Sequence, residues 1–211
     1  EQFPITCIAT LFPSLTPALQ WEMMTLLLAH PESHASELSA CLDRAWYIRF
    51  TQLFAQHHVG PLRAHWETII HQFAPQLINA LYQRHTDSQL PGTLVRDLTE
   101  SERLLLLSVL TPLEYPFLAA VLRAPDLWQI KNRTDSTHPA TQVATPDGPG
   151  AIFPPSQLPQ QLWLFTLHYL LVDRGSAFNR QSYMSGLIIH MANAQNQTPE
   201  ALLGSLISAI N

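Results

Sequence analysis

Leu162-Trp163-Leu164-Phe165-Thr166-Leu167-His168-Tyr169-Leu170-Leu171-Val172 is the stretch whose reading decides the fold. It is apolar nearly all round, as expected of a helix buried on most of its sides. Asp173-Arg174-Gly175 follows, with a glycine suited to the left-handed residue that ends many helices. Downstream, Asn179 can cap a helix carrying Tyr183, Met184, Leu187, Ile188 and Met191 on one stripe. Asn196 reads as the turn before Thr198-Pro199, which opens a last helix with Leu202, Leu203, Leu206, Ile207 and Ile210 at core spacing.

The same three- and four-residue spacing runs back to the N-terminal side, and no alternating pattern persists for more than a few residues. Thr16-Pro17 opens a short helix through Trp21, Met24 and Leu28, stopped at His30-Pro31. A longer helix starts near Ser36, carries Leu38, Leu42, Trp46, Phe50, Leu53 and Phe54, and ends at Gly60-Pro61. A third presents Leu62, Trp66, Ile69, Ile70 and Phe73 before Pro75, which must kink it or start a new helix through Leu77, Leu81 and Tyr82. Asp87 to Gly92 reads as turn chemistry. Thr99-Glu100-Ser101-Glu102 and Thr111-Pro112-Leu113-Glu114 both match the capping box, so each should open a short leucine-rich helix. Pro125 allows one more turn around Leu127 and Trp128. The expected fold is therefore all-α, an irregular multi-helix bundle of about eight to ten helices with one long Pro-rich loop.

From Asn132 to Gln160 the periodicity disappears, and this segment holds prolines 139, 146, 149, 154, 155 and 159 with the turn Asp147-Gly148-Pro149-Gly150. It is a domain boundary or a partner-facing loop. Residues 161–211 are few to support a core alone, which favours one body. The expected organisation is an N-terminal helical part over 1–131, a Pro-rich loop or linker over 132–160, and a C-terminal three-helix part over 161–211 packed on the first.

A chain of 211 residues buries roughly 70% of its unfolded surface. At 46% hydrophobic residues and a mean hydropathy of +0.03 it is too apolar for disorder, and it has no run that would span a bilayer, so membrane insertion is not expected. Charged residues make up only 13%, about half the usual share, and Lys131 is the one lysine. A net charge of −5 with no Lys/Arg cluster argues against nucleic-acid binding. The first residues, Glu1-Gln2-Phe3-Pro4, are not an intact secretory signal, which suggests a start inside a longer protein or after a removed tag.

No catalytic, cofactor or metal site is expected. His30/His34 and His57/His58 with His65 come closest to ligand spacing, but Pro31 breaks the first register and neither group has a carboxylate or cysteine placed to complete a shell. The ten histidines read instead as neutral polar residues on a charge-poor surface, with His168 and His190 as core or interhelix residues. Cys7 and Cys41 read as reduced packing residues. There is no nucleophile elbow, no Ser-x-x-Lys and no phosphate-binding glycine loop. Glu100 and Glu102 pair in a helix first turn, where they meet the dipole.

The run from Leu162 to Tyr183, together with His190-Met-Ala-Asn-Ala-Gln-Asn196, resembles the large helical tape-measure-type proteins of bacterial contractile injection systems, the phage-tail-like particles that deliver toxins. The segment from Leu98 to Leu122 is similar in style to that family's repeated short helices. The resemblance implies an internal domain of a longer protein with a structural, non-enzymatic role. Its partners would be tube, sheath or baseplate-type components, in a cytoplasmic assembly that a released particle could carry. A low-charge helical body suits protein docking, since interface cores are depleted in charge. The alternative is a stand-alone helical adaptor that holds a peptide or partner helix in an apolar groove.

Overall fold

The computed structural model describes residues 11–29, 36–124, 128, 157–173 and 178–210. Among these there are nine α-helices, two 3₁₀ segments and no strand, so the chain is all-α. It divides into two compact units between Pro112 and Leu113. Most of the Pro-rich segment, residues 132–156, lies outside the described residues.

The first unit holds α1 (Pro17–Ala29), α2 (Ser36–Ala55), α3 (Trp66–Gln83), α4 (Leu90–Asp97) and α5 (Glu100–Leu110), with 3₁₀ segments at Phe12–Ser14 and Gly60–His65. Its core is the α2 stripe meeting α3: Leu42, Trp46, Phe50, Leu53 and Phe54 are buried, as are Trp66, Ile69, Ile70, Leu77 and Leu81. Trp46 is the hub. Trp21 of α1 meets it edge-on at 5.6 Å, and Phe73 stacks on it at 5.3 Å. Pro75 acts as its chemistry demands: Phe73, two residues earlier, leaves helical geometry (φ −123°, ψ 24°) and the helix resumes beyond the kink. The indole Nε1–H of Trp66 donates to the Glu102 carbonyl at 2.9 Å and ties α3 to α5.

Two expectations fail in this unit. The turn read over Asp87 to Gly92 is a turn only as far as Gln89; α4 then begins at Leu90, with Pro91 in its first turn and Leu90, Pro91, Thr93 and Leu94 buried. Proline is tolerated there because the first amides of a helix have no intrahelical acceptor. The Thr99 capping box forms in full, but Thr111 caps no helix: its amide donates to the Leu107 carbonyl at 3.0 Å, so it ends α5.

The second unit holds α6 (Tyr115–Leu122), α7 (Leu158–Leu171), α8 (Arg180–Ala194) and α9 (Pro199–Ile210), with Trp128 buried among them. α6 starts after Glu114 with no side-chain cap and with Pro116 in its first turn. α7 begins at Leu158, inside the segment expected as loop, with Pro159 in its first turn. No residue from Gln161 to Val172 is exposed, as its apolar circumference requires. Asn179 caps α8, its side chain accepting from the Ser182 amide at 2.9 Å. Thr198 accepts from the Ala201 amide at 3.2 Å at the start of α9. Asn196 takes the left-handed conformation (φ 52°) in the turn between them. Tyr183 fills the centre, ringed by Phe165, Tyr169 and Phe178 at 5.4–5.6 Å and by Phe117 at 6.0 Å.

Candidate interaction surfaces and polar sites

In the first unit, α1 is apolar on several sides. Trp21 meets Trp46 of α2 and Met24 is buried, whereas Leu19 and Leu26 stand 49% and 62% exposed, with Ala18, Glu22 and Ala29 beside them on the open side. Glu22 is the only charged residue of that helix. In the second unit the stripe expected on α9 is only partly a core stripe. Leu202 is buried, but Leu203 and Ile207 are 44% and 54% exposed, and Ile189 of α8 is 51% exposed. The reason is the partner set: α9 packs chiefly on α8, and one main neighbour covers one side of a helix whose apolar residues occupy more than one.

An open concavity of about 370 Å³ lies where the 3₁₀ segment and the start of α3 meet the start of α5. Arg63, His65, Glu67, Thr68, Ser101 and Glu102 supply its polar wall, and Trp66 and Leu105 its apolar part. Arg63 Nε lies 3.2 Å from each Glu102 carboxylate oxygen. The carboxylate also receives the Thr99 amide at 2.6 Å and the Thr99 hydroxyl at 2.8 Å. Burial pushes the Glu102 carboxyl up, but the Thr99 and Arg63 hydrogen bonds outweigh it and hold the group below the ordinary carboxylate value. Glu102 is thus engaged structurally, as a cap and as an ion-pair partner, in line with the helix-dipole reading of this acidic pair.

A second polar cluster gathers where α2 turns into the 3₁₀ segment. His57 sits in the left-handed region (φ 50°), and its carbonyl accepts from Arg96 at 2.7 Å. Asp97 accepts from the Val59 amide at 3.0 Å and from Arg96 Nε at 2.6 Å, with His58 Nδ1 3.7 Å away. Asp87 accepts from Arg84 at 2.8 Å and from the Gln89 amide at 3.1 Å, with His57 Nδ1 at 3.9 Å. Burial raises both aspartates, yet the arginine and backbone donors prevail and hold each below the ordinary value. His57 and His58, adjacent in sequence, face different carboxylates, and His65 lies apart at the concavity. Nothing in the local sequence announces Asp97, because the amide it takes lies 38 residues away, whereas Asp87 takes its hydrogen bonds within its own turn, from Arg84 and Gln89.

In the second unit the buried Thr166 hydroxyl donates to the Leu162 carbonyl at 2.7 Å and accepts from Tyr183 at 2.8 Å. Burial outweighs that bond and pushes the Tyr183 phenol up to about 12. His168 and His190 are interhelix and helix-end residues: His168 Nδ1 lies 3.0 Å from Asp173, and His190 Nε2 lies 3.2 Å from Gln161 Oε1. Among the described residues no group of three His, Cys, Asp or Glu is placed to hold a metal ion, and no helix is long and apolar enough to cross a membrane. His30, His34 and Cys7 lie outside the described residues, as does the side chain of Cys41. Searches against protein-family models, curated proteins and solved structures find no match to this chain.

Proposed function

We propose that this chain is a structural assembly domain that works by docking its apolar helix faces onto other proteins. The observation that carries this reading is the exposure of Leu19 and Leu26 on α1 and of Leu203 and Ile207 on α9, on helices with one charged residue each. Large apolar side chains grouped on a charge-poor surface are the composition of an interface core. The C-terminal resemblance to tape-measure-type proteins supplies the setting: an internal domain of a contractile injection particle, in contact with tube, sheath or baseplate components. The adaptor alternative finds less support, since the concavity between α3 and α5 is open and mixes polar and apolar lining in near-equal parts, where a helix-binding groove would be apolar.

The test is reconstitution with the products of the genes that flank this one. A complex seen by size-exclusion chromatography with a tube-, sheath- or baseplate-type product is expected. It should be lost in Leu19→Gln/Leu26→Gln or Leu203→Gln/Ile207→Gln, with thermal melting unchanged. A chain that stays free of every neighbouring product overturns the docking role, and neighbours unrelated to such particles remove the injection-particle setting.

A further inference from the structure

We propose that the seam between α7 and α8 is proton-sensitive: protonation of His190 weakens the packing of α8 against α7. Gln161, Phe165 and His168 follow one another at four- and three-residue spacing, so they line one face of α7. Gly186 and His190 lie one turn apart on the facing side of α8. A Cβ at Gly186 would stand 2.9 Å from Phe165 Cζ, so the glycine is what lets the helices approach this closely. His190 is half-buried in that approach, its ring 5.3 Å from the Phe165 ring and its Nε2 on Gln161 Oε1 at 3.2 Å.

A second imidazole faces it. His168 is near enough to repel a proton on His190, and its own carboxylate partner, Asp173, is engaged at 3.0 Å. The remaining charges on the packed elements lie elsewhere: Arg180 pairs with Glu114, just before α6, at the opposite end of α8, and α9 carries only Glu200, exposed in its first turn. Among the described residues His190 therefore has an amide as partner but no countercharge. Burial first, and His168 second, hold its proton affinity below the ordinary histidine value.

The sign follows from that depression. The seam is intact above the unfolded-chain value near 6.5 and loses stability as pH falls through the lower folded value. Following the His190 ring by NMR in the whole chain should give a midpoint below 6.5. Native-state amide exchange in α7 and α8 should accelerate, beyond the intrinsic effect of pH, as pH falls from about 6.5 through the ring's own midpoint. His190→Gln keeps a hydrogen-bonding side chain without the titration, and should remove that step while matching wild-type melting at neutral pH; His168→Gln should reduce it. A midpoint at or above 6.5, or the same pH-dependent step in His190→Gln, overturns the proposal. If His190→Gln fails to fold, the wild-type ring titration decides alone.

Discussion

Asp97 shows what a single side chain does in this fold. It is one-tenth exposed, and it takes both the Val59 amide and the Arg96 guanidinium while Arg96 holds the His57 carbonyl, so one carboxylate secures the whole 57–59 turn. Removing it in Asp97→Ala leaves the amide of a fully buried valine without an acceptor, which costs about 1–3 kcal/mol. Asp97→Asn should recover part of that loss, since its amide oxygen can still accept. Asp87, Asp97 and Glu102 are all held below their ordinary values, so they stabilise the first unit fully above the unfolded-chain values of 3.8 and 4.5, and that contribution drains away as pH falls below them. Urea unfolding across the acid range should show this decline, with a shallower slope in Asp97→Asn; an unchanged slope would count against the assignment. The role of Asp97 was not legible in the sequence. A carboxylate 38 residues from the amide it caps leaves no local pattern, whereas Thr99 and Glu102, three apart, do.

At the level of elements, periodicity and caps located most helices, and the two errors share a cause. Thr-x-x-Glu marks a helix start only if the threonine is free to be one, and Thr111 already ends α5. Gly92 disguised α4 because glycine in a short segment reads as turn, yet a Cβ there would meet nothing within 4 Å. The two threonines should respond oppositely to substitution. Thr99→Ala loses a working capping box and about 1 kcal/mol. Thr111 is buried, and among the described residues its hydroxyl has no partner, so Thr111→Val should be neutral or stabilising. The helical glycines divide the same way. Gly204→Ala enters open space on α9 and should gain about 1 kcal/mol of helix propensity. Gly186→Ala drives a methyl into Phe165, whose ring is held by Tyr169, Tyr183 and His190, and should cost about 1–3 kcal/mol of overpacking against that gain. Thermal melting of the four variants checks both contrasts, and a stabilised Gly186→Ala would mean that the seam is looser than described.

For the molecule as a whole, the deciding feature is that aromatic side chains assemble two centres. Trp46 gathers Trp21, Phe50 and Phe73 in the first unit, and Tyr183 gathers Phe117, Phe165, Tyr169 and Phe178 in the second. Hydrophobic spacing identified Trp21, Trp46, Phe50, Phe73, Phe165, Tyr169 and Tyr183 but not Phe178, and not how the rings partition, because a stripe states that a residue is buried and not against which neighbour. The partition has a measurable consequence. Leu167 is fully buried in α7, and Leu167→Asp places an uncompensated carboxylate there at a cost of several kcal/mol against a total stability of roughly 5–15. If each unit is held by its own centre, the substitution should abolish exchange protection from α6 to α9 while α2 and α3 keep theirs, and limited proteolysis should leave a fragment ending near Pro112. Loss of protection in α2 and α3 together with α7 would show instead that the two centres melt as one cooperative body, and the Trp46 cluster would then depend for its stability on residues beyond Pro112.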